Sequence, residues 1–206
     1  MGKVPEPTIK RLFSYYRCLK YDNDDMIPEY ICSDKLGKKL GIKSTLLRRD
    51  LSFFGHMGQK GKGYKKDKLE NRLEEIVGLN KEWEIALVGA GNLGKALLRY
   101  DKFREMGLYI TEVFDNDLDR IGRELDGCLV KNVKSIDKII DKKGIKIVII
   151  AIQQDDIEGV LQELKKTNIK AIWNLSSTHI DLGSDILVIR EDLCCSLGSF
   201  ICNINQ

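Results

Sequence analysis

The sequence predicts a two-part α/β protein, a small basic helical head followed by a doubly wound parallel sheet. Three observations predict it. In residues 1–80 the apolar positions recur at helical intervals, and 17 Lys and Arg stand against 11 Asp and Glu, whereas the remainder holds 17 against 20. Beyond Trp83, short apolar runs alternate with helical stretches, as strands and crossover helices of a parallel sheet do. The first of those runs ends in Gly89-Ala90-Gly91-Asn92-Leu93-Gly94. The expected organisation is a head with its linker helix over 1–80, a nucleotide-binding sheet over 81–190 and a C-terminal helix over 191–206.

The head opens with Pro7 and Thr8, then Ile9, Leu12, Phe13, Tyr16 and Leu19, one apolar stripe that predicts a helix from Thr8 to Lys20. Asp22 to Asp25 ends it. Ser33 is read as the N-cap of a second helix with Leu36 and Leu40 buried, stopping at Gly41, the residue type that tolerates a left-handed corner. Ser44 is read as the cap of a third, on which Leu47 and Leu51 share one face. Lys43, Ser44, Thr45, Arg48 and Arg49 gather at its exposed side and beginning. This is a helix-turn-helix pattern, whose last helix enters the major groove, where an arginine can make paired hydrogen bonds to guanine. The segment Lys60-Gly61-Lys62-Gly63-Tyr64-Lys65-Lys66 reads as a wing whose lysines reach phosphates or the minor groove. Leu69, Leu73, Ile76 and Val77 form the stripe of a linker helix. The predicted head is therefore a winged helix-turn-helix domain.

In the second part, strands are predicted at Glu84–Val88, Tyr109–Phe114, Ile145–Ile152, Ile169–Leu175 and Ile186–Ile189, with a weaker one at Cys128–Val130. The glycines after the first strand form a phosphate cradle. One allows the tight turn, one lets backbone approach a pyrophosphate, and one lets the helix opening at Asn92 pack on the strand. The second strand ends in Phe114-Asp115, where an acid accepts hydrogen bonds from the adenosine ribose. A carboxylate there repels a 2′-phosphate, so the expected cofactor is NAD(H) rather than NADP(H). Together these features predict a Rossmann-like domain with Gly89, Ala90, Gly91, Asn92, Leu93, Gly94, Asp115 and Ile152 at the nucleotide.

Composition narrows the classes. At 43% hydrophobic and 32% charged, the chain reads as a globular protein. No uninterrupted apolar run is long enough to span a bilayer, and Met1 to Arg11 lacks the apolar core of a signal peptide, so a cytoplasmic location is expected. The six cysteines (Cys18, Cys32, Cys128, Cys194, Cys195, Cys202) follow neither a disulfide framework nor a zinc spacing and are read as reduced thiols; no metal site is expected. Adjacent Cys194 and Cys195 point in different directions on a helix, which disfavours a mutual disulfide.

The chain resembles the Rex redox-sensing transcriptional repressors over nearly its whole length. The resemblance is carried by Lys10-Arg11-Leu12 with Tyr15-Tyr16-Arg17, by Leu46-Leu47-Arg48-Arg49-Asp50-Leu51-Ser52-Phe53-Phe54-Gly55, and by the wing from Lys60 to Tyr64. In the second part it is carried by Val88 to Leu98 with Tyr100 and Phe103, and by Phe114-Asp115-Asn116-Asp117. It implies a homodimer whose winged heads bind an inverted-repeat operator in double-stranded DNA, with Lys10, Ser52, Lys60, Lys62 and Tyr64 joining the third helix at the duplex. It implies NAD(H) domains that report the NADH to NAD+ ratio by changing the angle between heads, NADH weakening operator binding.

The resemblance also implies a domain-swapped C-terminal helix, here about Asp192 to Cys202, with Leu193, Leu197, Phe200 and Ile201 as its apolar face. Arg11, Tyr100 and Asp192 match the places of a state-dependent contact in the family, and Tyr100 is counted with the nucleotide site as well. Two segments depart from the family. Ala151-Ile152-Gln153, followed by Gln154 and two acids, stands where Thr-Val-Pro is typical, and Asn174-Leu175-Ser176-Ser177 stands where Asn-Phe-Thr-Pro is. Both fall on the nicotinamide side, so a regulator with altered or lost NADH discrimination is an open alternative. An NAD-binding oxidoreductase is another, and its sole candidate for acid or base is His179, since His56 falls at the end of the third helix. A third is an interaction protein whose head meets another protein.

Overall fold

The computed structural model describes residues 4–21, 28–153 and 157–204, the side chains of Leu193 and Ser196 excepted. The predicted helix end at Asp22 to Asp25, the stretch from Gln154 to Asp156 and the side chain of Leu193 therefore lie outside the described residues. Two compact units divide the chain at Met1–Lys81 and Glu82–Gln206.

In the first unit, helix α1 covers Glu6–Tyr21. It starts two residues before the predicted Thr8 because Pro7, which has no N–H to lose, is tolerated in a first turn. Strand β1, Tyr30–Ile31, precedes helix α2, Ser33–Leu40, and helix α3, Ser44–Ser52. The cap of α2 is Cys32 rather than Ser33. The chain leaves its strand at Ile31, so the turning residue is Cys32, and its Sγ accepts from the Lys35 N–H at 3.4 Å. Gly41 closes α2 in the left-handed conformation with φ 68°. Ser44 is the first residue of α3 and Lys43 its cap, without a side-chain hydrogen bond. Strand β2, Tyr64–Lys65, pairs antiparallel with β1 and leads into helix α4, Lys66–Val77. Leu12, Tyr15, Tyr16, Leu19, Leu36, Leu47, Leu69 and Leu73 are all buried in one core. Burying each such side chain stabilises by about 1.5–3 kcal/mol, which lets helices of eight and nine residues persist where isolated ones would not.

One buried polar cluster interrupts that core. The Asp50 carboxylate, 0% exposed, accepts from Arg11 Nε at 2.6 Å, Arg11 Nη2 at 2.8 Å, the Tyr15 hydroxyl at 2.7 Å and the Thr8 hydroxyl at 3.2 Å. Burial alone would push this carboxyl up, but the guanidinium and the hydroxyls hold it below the usual carboxylate range. Burial and the neighbouring carboxylate push the Tyr15 phenol up. The cluster fastens α3 to α1.

The second unit is built on a seven-stranded sheet. In chain order come β3 Trp83–Val88, α5 Asn92–Leu98, α6 Asp101–Glu105, β4 Leu108–Asp115, β5 Glu124–Leu125, β6 Cys128–Asn132 and α7 Ile136–Lys143. There follow β7 Ile147–Ile150, α8 Ile157–Leu164, β8 Ala171–Asn174, β9 Leu187–Arg190 and α9 Leu193–Ile204. The spatial order is β5-β6-β4-β3-β7-β8-β9, parallel throughout except for β5. The predicted strands are all present, those at Ile145 and Ile169 shorter than expected. The short β5, absent from the prediction, carries only two residues and no periodicity.

Central strands are apolar on both faces because helices cover both. Ala86, Val88, Phe114, Val148 and Ile150 pack with Ile136, Ile140, Ile157 and Val160 of α7 and α8. Ile85, Leu87, Val113 and Ile149 form the opposite layer with Leu98 of α5. Glu112 is a buried charge within β4, as is Asp115 at its end. The Glu112 carboxylate pairs with Lys143 at 2.6 Å and with Lys131, and these lysines offset the upward push of burial and leave its pKa below the ordinary value. A register shift opposite Ile85 and Ala86 passes over Thr111. Helix α9 leaves Leu197, Phe200, Ile201 and Ile204 exposed, at 65%, 62%, 59% and 82%. Among the described residues no helix is long and apolar enough to cross a membrane.

Candidate functional site

In an open α/β sheet, ligands bind beyond the carboxyl ends of strands where the winding direction reverses. Here that point lies between β3, whose crossover leads to β4 on one side, and β7 on the other. A cleft of about 650 Å³ opens there, lined at one end by Asp115 and Arg120, in the middle by Gly91 and Asn92, and at the other by Ile152 and Leu175.

The glycine turn is fixed by close approach. Gly89 has φ 111°, and a Cβ on it would lie 2.4 Å from the Ala151 carbonyl oxygen. A Cβ on Gly94 would lie 1.9 Å from the Gly89 carbonyl oxygen, so α5 can rest on the end of β3 only with glycine there. A Cβ on Gly91 would meet nothing nearer than Arg120 Nη1 at 3.8 Å, leaving the backbone bare toward the cleft. That is the geometry a pyrophosphate needs.

Asp115 ties the turn to the neighbouring strand. Its Oδ2 accepts from the Ala90 N–H at 2.7 Å and Arg120 Nη1 at 3.2 Å, and its Oδ1 from the Asp117 N–H at 2.9 Å. Burial pushes the carboxyl up; the two N–H groups and the arginine outweigh it, and the pKa falls below the ordinary value. It is ionised at neutral pH. Among the described residues, the Asp117 N–H is the one donor on Oδ1, and a carboxylate oxygen can accept a second.

Of the residues predicted for this site, Gly89, Gly91, Asn92, Leu93, Asp115 and Ile152 line the cleft. Ala90, 2% exposed, contributes its N–H to Asp115, and Gly94 lies beneath the turn. Tyr100 does not line it. Its ring, 51% exposed, packs edge-on against Phe103 at 5.1 Å beside a separate hollow bounded by Leu97, Arg104 and Tyr109. Arg120 and Lys95 line the cleft without having been predicted. Arg120 also pairs with Asp117 at 3.1 Å, and only the folded turn brings it back over Asp115.

In the first unit, Lys43, Thr45, Arg48, Arg49, Ser52, Lys60 and Lys62 are exposed and Ser44 is half-buried. Lys10 is exposed and pairs with Glu6 at 3.2 Å. The Ser52 hydroxyl donates to the Arg49 carbonyl at 2.7 Å. Tyr64 departs from the expectation: its ring is 8% exposed and belongs to the core beneath the wing. Lys62 lies over the Tyr30 ring at 5.7 Å, drawn toward β1 by the aromatic face.

Residues 80–178 match the family described as a CoA binding domain, and residues 3–52 the one described as a putative DNA-binding protein N-terminus. The redox-sensing transcriptional repressor Rex of Thermosipho africanus is 36% identical over 204 residues, 99% of this chain and 97% of the relative. The chain belongs to the Rex family. Rex of Carboxydothermus hydrogenoformans is 35% identical over 99% of this chain and 98% of its own. The crystal structure of RSP in complex with β-NAD+ and operator DNA is similar at a TM-score of 0.92 and 30% identity, covering 100% of this chain and 94% of that one. The complex of RSP with β-NADH is similar at 0.86 and 29%, over 100% and 96%.

Arg11 and Asp192, which the resemblance matches to a state-dependent contact, have partners within their own units. Arg11 is held by Asp50 of α3. Asp192 caps α9, its Oδ1 accepting from the Cys194 and Cys195 N–H groups at 2.9 and 3.1 Å and its Oδ2 from Arg190 at 3.0 Å. Leu197 and Phe200 are exposed on α9.

Proposed function

We propose that this chain is a homodimeric redox-sensing repressor. Its basic head binds an inverted-repeat operator, its cleft takes NAD(H), and NADH weakens operator binding. The observation that carries this reading is the end-to-end likeness to RSP bound to β-NAD+ and operator DNA, which spans both units of the chain. The cleft supports it with a bare glycine turn for the pyrophosphate and an ionised Asp115 at the ribose end. The exposed apolar face of α9 fits a surface that a second copy covers, as the resemblance implies. Arg11 cannot leave Asp50 without stranding a buried carboxylate, so Arg17, exposed on α1, is the better candidate for a contact that breaks and re-forms.

A nucleotide moves such an equilibrium only by binding the two dimer arrangements unequally. Titrating the protein–operator complex with each nucleotide is the test. NADH should release the duplex, and NAD+ should compete for the cleft without equal release. Equal responses to the two would remove the redox-sensing reading and leave DNA binding intact. Asp115→Ala loses charge-assisted hydrogen bonds worth about 1.5–3 kcal/mol, so NAD(H) affinity should fall roughly ten- to hundredfold with operator affinity unchanged, as measured by fluorescence of bound NADH and by gel shift. On this reading the protein is a regulator and His179 has no catalytic part; it is exposed, at the end of a loop that Asn174 holds by accepting from Ser176 and donating to the Thr178 carbonyl.

A further inference from the structure

A second cleft, of about 630 Å³, lies within the first unit where α2, α3 and the wing meet. It is lined by Cys32, Ser33, Arg48, His56, Lys60 and Lys62, among others. Its charged side chains have one sign. Arg48, Lys60 and Lys62 are cationic, and Cys32 and Ser33 bring to the cleft the start of α2, a helix end whose first N–H groups have no intrahelical carbonyl. Asp34, the acidic residue of that turn, is not among the lining residues. Three cations with no carboxylate among the lining residues suit an anion, whereas a base edge carries no net charge.

Arg48 belongs to this cleft. Its Nη1 donates to the Ser33 hydroxyl oxygen at 3.1 Å, which draws the guanidinium toward the start of α2. Arg49 has no such tie among the described residues, and successive residues on a helix point about 100° apart. An arginine that reads guanine must extend with its fork free, while one that grips a phosphate gains from being held in advance.

We infer that the cleft seats one backbone phosphate of the duplex, with Arg48 as its clamp and Ser33 as the residue that positions the clamp, and that Arg49 alone of the pair reads base edges. The inference rests on the DNA-binding reading above. It divides two adjacent arginines that the sequence presents as equivalent into one that sets affinity and one that sets sequence preference.

The test uses the full chain, a duplex selected from a random-sequence pool by the wild-type protein, and a scrambled duplex of the same composition. Affinities are measured for the wild type, Arg48→Ala and Arg49→Ala across a salt series. Arg48→Ala should weaken both duplexes by the same factor, roughly tenfold, and lower the slope of log affinity against log salt by about one. Arg49→Ala should weaken the selected duplex by roughly ten- to hundredfold and leave the scrambled one nearly unchanged. An Arg48→Ala protein that loses only the selected duplex overturns the assignment while the DNA-binding reading stands. A wild-type protein that binds neither duplex at low salt overturns both.

A measurement on the unaltered chain guards against a variant that fails to fold. Cys32 is exposed at the mouth of this cleft, and its alkylation by iodoacetamide can be followed by peptide mass spectrometry. Either duplex should slow it several-fold relative to Cys202. An unchanged rate with duplex bound means that nothing fills the cleft and the proposal fails.

Discussion

Gly94→Ala is expected to abolish the response to NADH while operator binding persists. The new methyl would lie 1.9 Å from the Gly89 carbonyl oxygen, a backbone atom that cannot swing aside as a side chain would. Overpacking against movable neighbours costs about 1–3 kcal/mol, and a rigid backbone partner puts this case at or above the upper end. Relief requires α5 to lift from the end of β3, which displaces the Gly91 backbone and the Ala90 N–H that Asp115 holds at 2.7 Å. A loss of about 3 kcal/mol corresponds to roughly two orders of magnitude in NAD(H) affinity. Calorimetric titration with NADH and a gel shift on the same preparation would check it. Release of the duplex by NADH at wild-type concentrations would show that the cleft beside Gly91 is not the nucleotide site.

Arg11→Ala should unfold the head well below the wild-type temperature. Asp50 is 0% exposed, and without the guanidinium its charge keeps only the Tyr15 and Thr8 hydroxyls. Breaking a buried pair costs about 3–5 kcal/mol; the Arg11 side chain is itself 26% exposed, so about 3 kcal/mol is the expected loss. In a unit of this size that lowers the melting temperature by about 4–8 °C per kcal/mol. Because α3 hangs on Asp50, operator binding should fail over the same range. Replacing both partners by apolar residues, Arg11→Met with Asp50→Leu, should recover most of the stability, since no buried charge is then stranded. Scanning calorimetry of the three variants separates these outcomes. The wild-type contribution has a defined pH window. The folded Asp50 pKa lies below its unfolded value of about 3.9, so the stabilisation is complete above that pH and is lost as pH falls through the folded value.

Much of the second unit was readable because its signals are local. A strand buried on both faces must be an apolar run, and a turn that brings backbone close to backbone must be glycine, so Ile85 to Val88 and the three glycines announce themselves. The edge hairpin β5 was not readable, since two residues carry no period. Nor was the placement of Tyr100, which in sequence is only an aromatic residue shortly after the cradle. In the head, the helical stripes gave α1 and α3 to within a few residues, but the cap of α2 fell one residue early. Pairing of Tyr30–Ile31 with Tyr64–Lys65 across the wing decides where α2 begins, and no local pattern encodes a pairing between segments so far apart. That pairing also buries Tyr64, which by composition belonged with the wing lysines.

The sequence by itself determined the elements and their class, because hydrophobic period and turn chemistry act over a few residues. It determined the cradle as well, through glycines and an acid set at the ends of consecutive strands. Only the tertiary structure decided which charges meet. Arg11 and Asp50 are 39 positions apart, Arg48 and Ser33 are 15 apart, and Glu112 finds Lys131 and Lys143 on two other elements. A charge takes whatever partner packing brings within about 4 Å, and packing is a property of the assembled layers rather than of any stretch of chain.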